Sequence, residues 1–463
     1  MTTVPITQVT GGVGGMAATY AQVRSLADRF DAAGDRMRDW AATGARILTD
    51  PDLVESAVLS PLTFADVEDH VLGATTGTHG VLVESVVYEA DAVLVRATVD
   101  AFVECDRWVE QSFGVLDYAA GRSVGCALAE GAPYLLVAGY LALRLDPGLP
   151  TDLQRGMEAH PEAVQHLVDG SGGLLDGLLA GLPLAGTVGW AFHPTTGAAA
   201  ATLAALYREE RPARVLRRGD LSVPLGNTQP SSLAAAIRHL QQTNDLSPAD
   251  RPGDQGTIEI QTLHAPDGSP RYIVYLPGTD DPVTTPLGQD ADVRDLATNL
   301  ELMADHDTTY QQGIEEAMRL AGIGPDAPVL LVGHSQGGME AARMLGNGSP
   351  FHVTSVVTAG APTAQVNGFP TGSHVLSLEN QGDVVPLLDG ADNPDSVPQV
   401  TVRFDDHETS VVGNHDLHHY VRGAAAADAS TDPSVRAELA SLRAQGFLGS
   451  ASAASSQVFQ VTR

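Results

Sequence analysis

The chain contains no lysine: its 26 basic residues are all arginine, set against 57 acidic ones for a formal net charge of −31. That absence excludes whole classes of chemistry. A P-loop NTPase needs a Lys on its phosphates, a protein kinase its strand Lys, and a pyridoxal-phosphate enzyme its Schiff-base Lys. The simplest origin of the missing lysine is codon bias in a GC-rich genome; an acidic, salt-tolerant surface is the other reading. A surface this acidic is repelled by phosphate backbones and anionic headgroups, which argues against a nucleic-acid partner. Aromatic residues make up only 5% and charged residues 18%, but 43% of the 463 residues are apolar, ample for a buried core. At roughly 150 residues per domain, the length accommodates about three domains, or one large domain with extensions.

Cysteine is nearly absent too. Cys105 and Cys126 cannot make a disulfide framework for a chain of this length, and no CxxC spacing exists for zinc or redox work. Both fall in apolar helical context, so buried, reduced thiols are expected, with a single Cys105–Cys126 bond left open. Residues Met1 to Gly15 lack a basic segment followed by an apolar stretch, so no standard secretory signal is read there. The one long apolar run, Val124–Leu143, carries Glu130, Gly131 and Pro133, and reads as a buried or kinked helix rather than a membrane span. The expectation is a soluble protein with no integral membrane span, cytoplasmic or exported without a cleaved signal.

Residues 16 to about 120 carry helical periodicity. Met16, Tyr20, Val23, Ala27, Phe30, Met37 and Trp40 recur mostly at three- and four-residue steps, and Pro51 can open a new helix. Val83, Val87, Ala90, Leu94, Ala97, Ala101, Cys105 and Trp108 form a second stripe, expected to bury against a partner helix in a long antiparallel hairpin. Residues 124–208 read as short helices broken by Pro147, Pro150, Pro161, Pro183 and Pro194, with the Gly-rich Leu174–Gly186 stretch suited to close packing or a lid. From about 214 the pattern changes. Ile258, Ile260 and Thr262 alternate with polar residues, a Pro266-Asp267-Gly268 turn follows, and Tyr272–Leu276 completes a β-hairpin. Strands at Val329–Val332, Val353–Thr358, Val375–Leu378 and Val400–Phe404 then alternate with helices at Leu296–Met303, Tyr310–Ala321, Gln336–Leu345 and Asp416–Arg422. Such alternation predicts an α/β fold, a mainly parallel sheet with helices on both faces, preceded by a large all-helical region. The expected organisation is a helical hairpin or bundle over 1–123, an apolar helical cap over 124–212, a catalytic domain over 213–425, and a C-terminal helix (Ser434–Gln445) and tail over 426–463.

The strongest chemical signal is Pro328–Gly338, PVLLVGHSQGG, which holds the pattern GxSxG between a short apolar strand and a helix. A bare GxSxG is common by chance and can be an inert Gly-rich turn. Between a strand and a helix it means more. The sharp turn holds the central residue in strained backbone and pushes the Ser335 hydroxyl out above the sheet, with the next N–H free at a helix N-terminus. A serine hydroxyl needs a general base, and the base needs a carboxylate to set its tautomer.

On such a fold the order is Ser, then acid, then His. Asp383, in the loop after the strand Val375–Leu378, is the candidate acid, with Glu379 and Asp389 as competitors. His407, His415, His418 and His419 all follow. His415, in a loop just before a helix, is the choice, with His418 second. The i,i+4 pair His415 and His419, with Asp405, Asp406 and His407 upstream, also admits a metal reading, but no HExxH or separate ligand set accompanies it, and neither a metal nor a cofactor is expected. Two oxyanion donors are required. Gln336 supplies one by position, and the loop Pro277-Gly278-Thr279-Asp280 after the strand Tyr272–Leu276 supplies the other at Thr279, unless it is an ordinary Pro-Gly turn.

These segments, VYLPGTDD (Val274–Asp281), LLVGHSQGG, TAGAP (Thr358–Pro362), QGDVVPLL and HDLHHY, stand in the order seen in fungal-type class 3 lipases and related actinobacterial α/β-hydrolases, which the region 255–422 resembles. The resemblance implies an α/β-hydrolase sheet, Ser335, Asp383 and His415 as catalytic triad, and Thr279 in the oxyanion hole. It departs at Pro277, where the family usually has Arg, and in the crowding of His residues around the base. The N-terminal part loosely resembles the helical-hairpin proteins exported by type VII systems, although Trp40–Gly44 reads WAATG rather than the family's tight WxG turn.

The expected function is therefore a serine carboxylester hydrolase acting on a small-molecule or lipid ester. Two alternatives stand beside it. One is acyl transfer or thioester hydrolysis with the same triad; the other is an exported interaction protein whose helical region binds a helical partner and carries the hydrolase domain along.

Overall fold

Side-chain alternation shows how the sheet is built. In the computed structural model, the strand Val329–His334 sends Val329 and Leu331 into one apolar cluster and Leu330 and Val332 into another, all four fully buried. A strand apolar on both faces belongs in the middle of a sheet covered on both sides. The structure describes residues 4–145, 165–166, 168–180, 195–207, 211–248, 251–264, 268–366, 368–407, 411–450 and 453–463. Part of the expected cap, with Pro147, Pro150, Pro161, Pro183, Pro194 and the end of the Leu174–Gly186 stretch, lies outside the described residues, as do Pro266 and Asp267 of the expected turn.

The chain divides into two compact units, Met16–Ser112 and a larger one formed by Met1–Gly15 with Phe113–Arg463. The larger unit holds a nine-stranded sheet: β1 (Ile6–Gly11), β2 (Arg214–Arg217), β3 (Thr257–His264), β4 (Pro270–Leu276), β5 (Val329–His334), β6 (Val353–Ala359), β7 (His374–Asn380), β8 (Gln399–Phe404) and β9 (Ala453–Thr462). Their order across the sheet is β1-β8-β7-β6-β5-β4-β3-β9-β2. Strands β4 to β8 run parallel, while β1, β3, β9 and β2 make antiparallel flanks. The architecture is α/β, with a parallel centre and helices on both faces.

Helices Thr309–Leu320 and Gln336–Gly346 cover one face through Ile314, Met318, Ala341 and Met344. Helices Leu233–Asn244, Leu417–Asp428 and Pro433–Ala444 cover the other through Ile237, Leu240, Tyr420, Val435 and Leu439. Two of these helices are locked end to end. The carboxylate of Asp428 accepts from Leu233 N and Ala234 N at 3.0 and 2.9 Å, satisfying donors that a helix start leaves free.

Two elements of the sheet unit differ from the sequence reading. The first residues, expected to belong to a helical region over 1–123, form β1 and pair antiparallel with β8, Ile6 opposite Phe404. Ser434 ties down the end of β1, accepting from Gly14 N and donating to Gly11 O, both at 2.9 Å. The C-terminal run, expected as a tail, is β9, which lies between β3 and β2.

In the smaller unit, helix Met16–Leu48 lies antiparallel to the first part of the helix Val81–Leu145, with Pro51–Leu59 and Pro61–Thr75 between them in sequence. Arg24 pairs with Asp100 at 2.6 Å, Arg96 reaches Asp28 and Asp31 at 2.6 Å each, and Arg38 pairs with Glu89. Phe30 meets Tyr88 edge to face at 5.8 Å. The hairpin is present, but the stripe expected at its seam is not. Val87 and Leu94 are 48% and 65% exposed, and Trp40 is 58% exposed. The seam is instead made of small residues seven apart, Ala27, Gly34 and Ala41 on one helix and Ser85, Ala92 and Val99 on the other. Small side chains let the two backbones approach closely and leave the larger ones outside.

Both cysteines are free, and Cys105 is exposed rather than buried. Among the described residues no helix is long and apolar enough to cross a membrane.

Candidate active site

The site begins at the end of β5. Its last residue, His334, is followed by Ser335 at φ 50° and ψ −124°, and the helix Gln336–Gly346 starts at the next residue. A non-glycine residue in this region of φ/ψ space costs of order 1–3 kcal/mol and persists only where its surroundings enforce it. The surroundings here are tight. A Cβ on Gly337 would lie 2.1 Å from Leu276 O, and one on Gly278 would lie 3.0 Å from Ser335 Cβ. The turn is thus clamped between β4 and the loop that follows it. Ser335 N donates to Ala359 O at 3.0 Å, which ties the turn to the end of β6.

Asp383 follows β7 and is almost wholly buried. Its Oδ1 accepts from Val385 N at 2.9 Å, and its Oδ2 accepts from His415 Nδ1 at 2.6 Å and from the Tyr420 hydroxyl at 2.5 Å. Burial, reinforced by the Asp383 charge, pushes the Tyr420 phenol well above its usual value, so it stays protonated and donates. Three donors thus compensate one buried carboxylate, which is what makes such a charge tolerable. With Asp383 on Nδ1, the His415 tautomer leaves Nε2 free to take a proton.

The competing residues are engaged elsewhere. Glu379 is held by Arg403 at 2.8 Å and Asn393 at 2.7 Å. Asp389 accepts from Ala364 N at 2.8 Å. His418 is exposed, with its ring tilted against that of His419 at 3.7 Å, His419 is paired with Asp406, and His407 lies at the surface beside Asp405. Among the described residues no group of three or more His, Cys, Asp or Glu gathers as a metal site would require.

The structure therefore brings Asp383 and His415 together and sets Ser335 on a strained turn. Among the described residues no hydrogen bond joins Ser335 Oγ to His415. Such bonds in ligand-free sites are often long and tighten when substrate arrives. The link between the two is His334, adjacent to Ser335 in the chain. Its ring lies 4.5 Å from the His415 ring, and its Nε2–H donates to His415 O at 2.9 Å. Burial, with His415 close by, holds the His334 imidazole well below its usual value, so it is neutral.

Thr279 and Gln336 meet through a residue that sequence reasoning missed. Asn299 donates to Thr279 Oγ1 at 3.0 Å, and Gln336 Nε2 donates to Asn299 Oδ1 at 2.9 Å and to Asp295 O at 2.8 Å. The Gln336 side chain is thereby held in the interior by Asn299 and Asp295. Among the described residues neither Thr279 N nor Gln336 N donates a hydrogen bond. Arg294, fully buried, supports the Thr279 loop from below, donating to Gly278 O at 2.9 Å and pairing with Asp280 at 2.6 Å.

Two surfaces flank the site. Leu302, Met339 and Ala361 form a small apolar cluster one helical turn beyond Ser335, with Met303 packed against it. A cavity of about 360 Å³ lies beside Asp383, lined by Gln8, Glu379, Gln381, Asp392 and Arg403 among others. It sits at the carboxyl ends of β7 and β8, where open α/β sheets collect ligands.

Tyr420, His334, Asn299 and Arg294 were not singled out from sequence. Tyr420 alone had a signal there, as the tyrosine a few residues beyond the base. Comparison with protein-family models, with curated proteins and with solved structures finds no match to this chain.

Proposed function

We propose that the protein is a serine carboxylester hydrolase of the α/β-hydrolase type, acting on lipase-like, amphipathic esters. The observation that carries this reading is the backbone of Ser335: a serine at φ 50° between a buried strand and a helix N-terminus, near the pair formed by buried Asp383 and half-buried His415. Strain of this kind is maintained at a cost, and a nucleophile presented above a sheet is what it achieves. In the proposed cycle His415 Nε2 takes the Ser335 proton as Oγ attacks the ester carbonyl. The developing oxyanion sits between the free N–H groups of Thr279 and Gln336. His415 then protonates the leaving alcohol, and water repeats the sequence on the acyl-enzyme, releasing the acid. Every step uses residues of this chain. The apolar cluster of Leu302, Met339 and Ala361 is suited to the acyl portion.

The test is fluorophosphonate labelling of wild type and Ser335→Ala, with turnover of p-nitrophenyl esters of graded chain length. The expected result is labelling and turnover that both vanish in Ser335→Ala. A folded wild type that neither labels nor turns over any ester would overturn the reading.

A further inference from the structure

Two consecutive backbone carbonyls of the base loop, those of Asn414 and His415, each accept from a buried, uncharged side chain. His334 Nε2–H reaches His415 O at 2.9 Å, and Asn380 Nδ2 reaches Asn414 O at 3.3 Å and Asn414 Oδ1 at 3.2 Å. The donors come from the ends of two different strands. His334 ends β5 immediately before Ser335, and Asn380 ends β7 three residues before Asp383. The contact is returned, since Asn414 Nδ2 donates to Gly382 O at 3.1 Å. Asn380 is itself held by Asp406 Oδ1 at 3.1 Å.

We propose that His334 and Asn380 are positioning residues that fix the His415 main chain to the two strands carrying the nucleophile and the acid. The proposal rests on the hydrolase reading above for its catalytic consequence, though not for its geometry.

The physical need is plain. His415 lies in the short break between helices Val411–Asn414 and Leu417–Asp428, outside any strand. A single bond from Asp383 to Nδ1 fixes one point of the ring and leaves the ring free to swing about it. The His334 ring, 4.5 Å away and inclined by 31°, limits that swing, and the two carbonyl pins fix the chain that carries the ring. Neutral donors suit this role. A cation at position 334 would face the imidazolium that His415 becomes in each turnover, whereas a neutral ring presents its π-face to it. The groups facing His334 are His415 and Tyr420, with Arg294 acting at longer range, so no carboxylate contact favours its protonation. A misplacement of about 1 Å in a catalytic group can cost on the order of 100-fold in rate.

The test compares His334→Gln, His334→Phe and Asn380→Ala with wild type. Gln keeps a donor at the reach of Nε2, whereas Phe keeps the ring and loses the donor. The expected kcat falls about 10- to 100-fold for His334→Phe and Asn380→Ala with KM nearly unchanged, while His334→Gln stays within a few-fold of wild type. A second readout does not depend on activity. The Nδ1 proton that His415 shares with Asp383 should give a downfield imidazole proton resonance, assigned by its loss in His415→Asn. It should broaden or exchange faster in His334→Phe and Asn380→Ala and persist in His334→Gln. If His334→Phe does not fold, Asn380→Ala carries the same comparison. An unchanged resonance in both variants overturns the proposal whatever the activity, as does equal impairment of Gln and Phe. A resonance that responds as expected in a protein with no ester turnover would uphold the positioning role and count against the hydrolase reading alone.

Discussion

Tyr420 and His415 converge on one atom: both reach Asp383 Oδ2, at 2.5 and 2.6 Å. The two come from opposite sides of a helix start, His415 from the loop before it and Tyr420 from within Leu417–Asp428. The orientation of the Asp383 carboxylate is therefore set by the same helix start that delivers the His415 ring.

Replacing Tyr420 by Phe should separate these roles. The variant keeps the ring packing against Phe404 and loses one hydrogen bond to a buried charge, worth roughly 1.5–3 kcal/mol. Unfolding free energy in urea should drop by about that amount, and kcat should fall while Ser335 still labels. Wild-type stability in the variant would refute the assigned hydrogen bond.

Gly337→Ala tests the clamp around the turn. The added Cβ would meet Leu276 O at 2.1 Å and Pro277 O at 2.5 Å, both backbone atoms that cannot rotate away. Loss of fluorophosphonate labelling is expected, together with a destabilisation of several kcal/mol at the order-of-magnitude level of a core steric clash. An active, stable Gly337→Ala protein would show that β4 and the turn are not in contact.

The Thr279–Asn299–Gln336 network predicts a split in kinetic constants. Thr279→Val removes the hydroxyl and keeps the shape; Asn299→Ala releases both ends. Each leaves the backbone donors in place but loosens their positions, and should lower kcat by about 10- to 100-fold with little change in KM, because a displaced oxyanion donor is felt mainly in the transition state. A rise in KM alone would place the loop in ground-state binding instead.

Burial raises the Asp389 carboxyl to about 7, from the usual 3.8. The folded chain then keeps a proton that the unfolded chain has released, so this group removes stability as pH rises from about 4 to 7, with no further loss above. Asp389→Asn should therefore gain stability relative to wild type over that interval, by roughly a few kcal/mol at most. Urea titrations at pH 5, 6, 7 and 8 measure it, and parallel curves for the two proteins would refute it.

The parts of the fold that were legible in sequence are those where pattern and burial coincide. β5 to β8 are apolar runs of the right length, and the two helices between β4 and β5 start at residues with capping side chains, Asp295 and Thr308. β1 and β9 were missed because ITQVTG and AASSQVFQVT are mostly small and polar, with few apolar residues to mark a strand. β1 sits at the sheet edge, where one side remains wet, and the first half of β9 is polar. The helical seam was misread for the opposite reason. Counting large apolar residues selects Val87 and Leu94, whereas the contact is made by Ala27, Gly34, Ser85 and Ala92, whose value lies in how little space they fill.

Within the candidate site, the strained turn at Ser335 and the Asp383–His415 contact were legible because each belongs to a local motif with a chemical reason behind it. His334, Asn299, Asn380 and Arg294 act by holding backbone carbonyls and other side chains across long sequence separations, and no local spacing encodes such a role.

The topology has a consequence for how the protein is made. Thr257 of β3 pairs with Gln460 of β9, and Ile6 of β1 pairs with Phe404 of β8. At roughly 5–20 residues per second of synthesis, β3 waits on the order of 10–40 s for β9, and β1 waits longer for β8. Folding of the sheet is therefore a late event, governed by closure of very long loops and slowed accordingly. Until then the free edges of β3 and β1 are the segments from which misassembly would start.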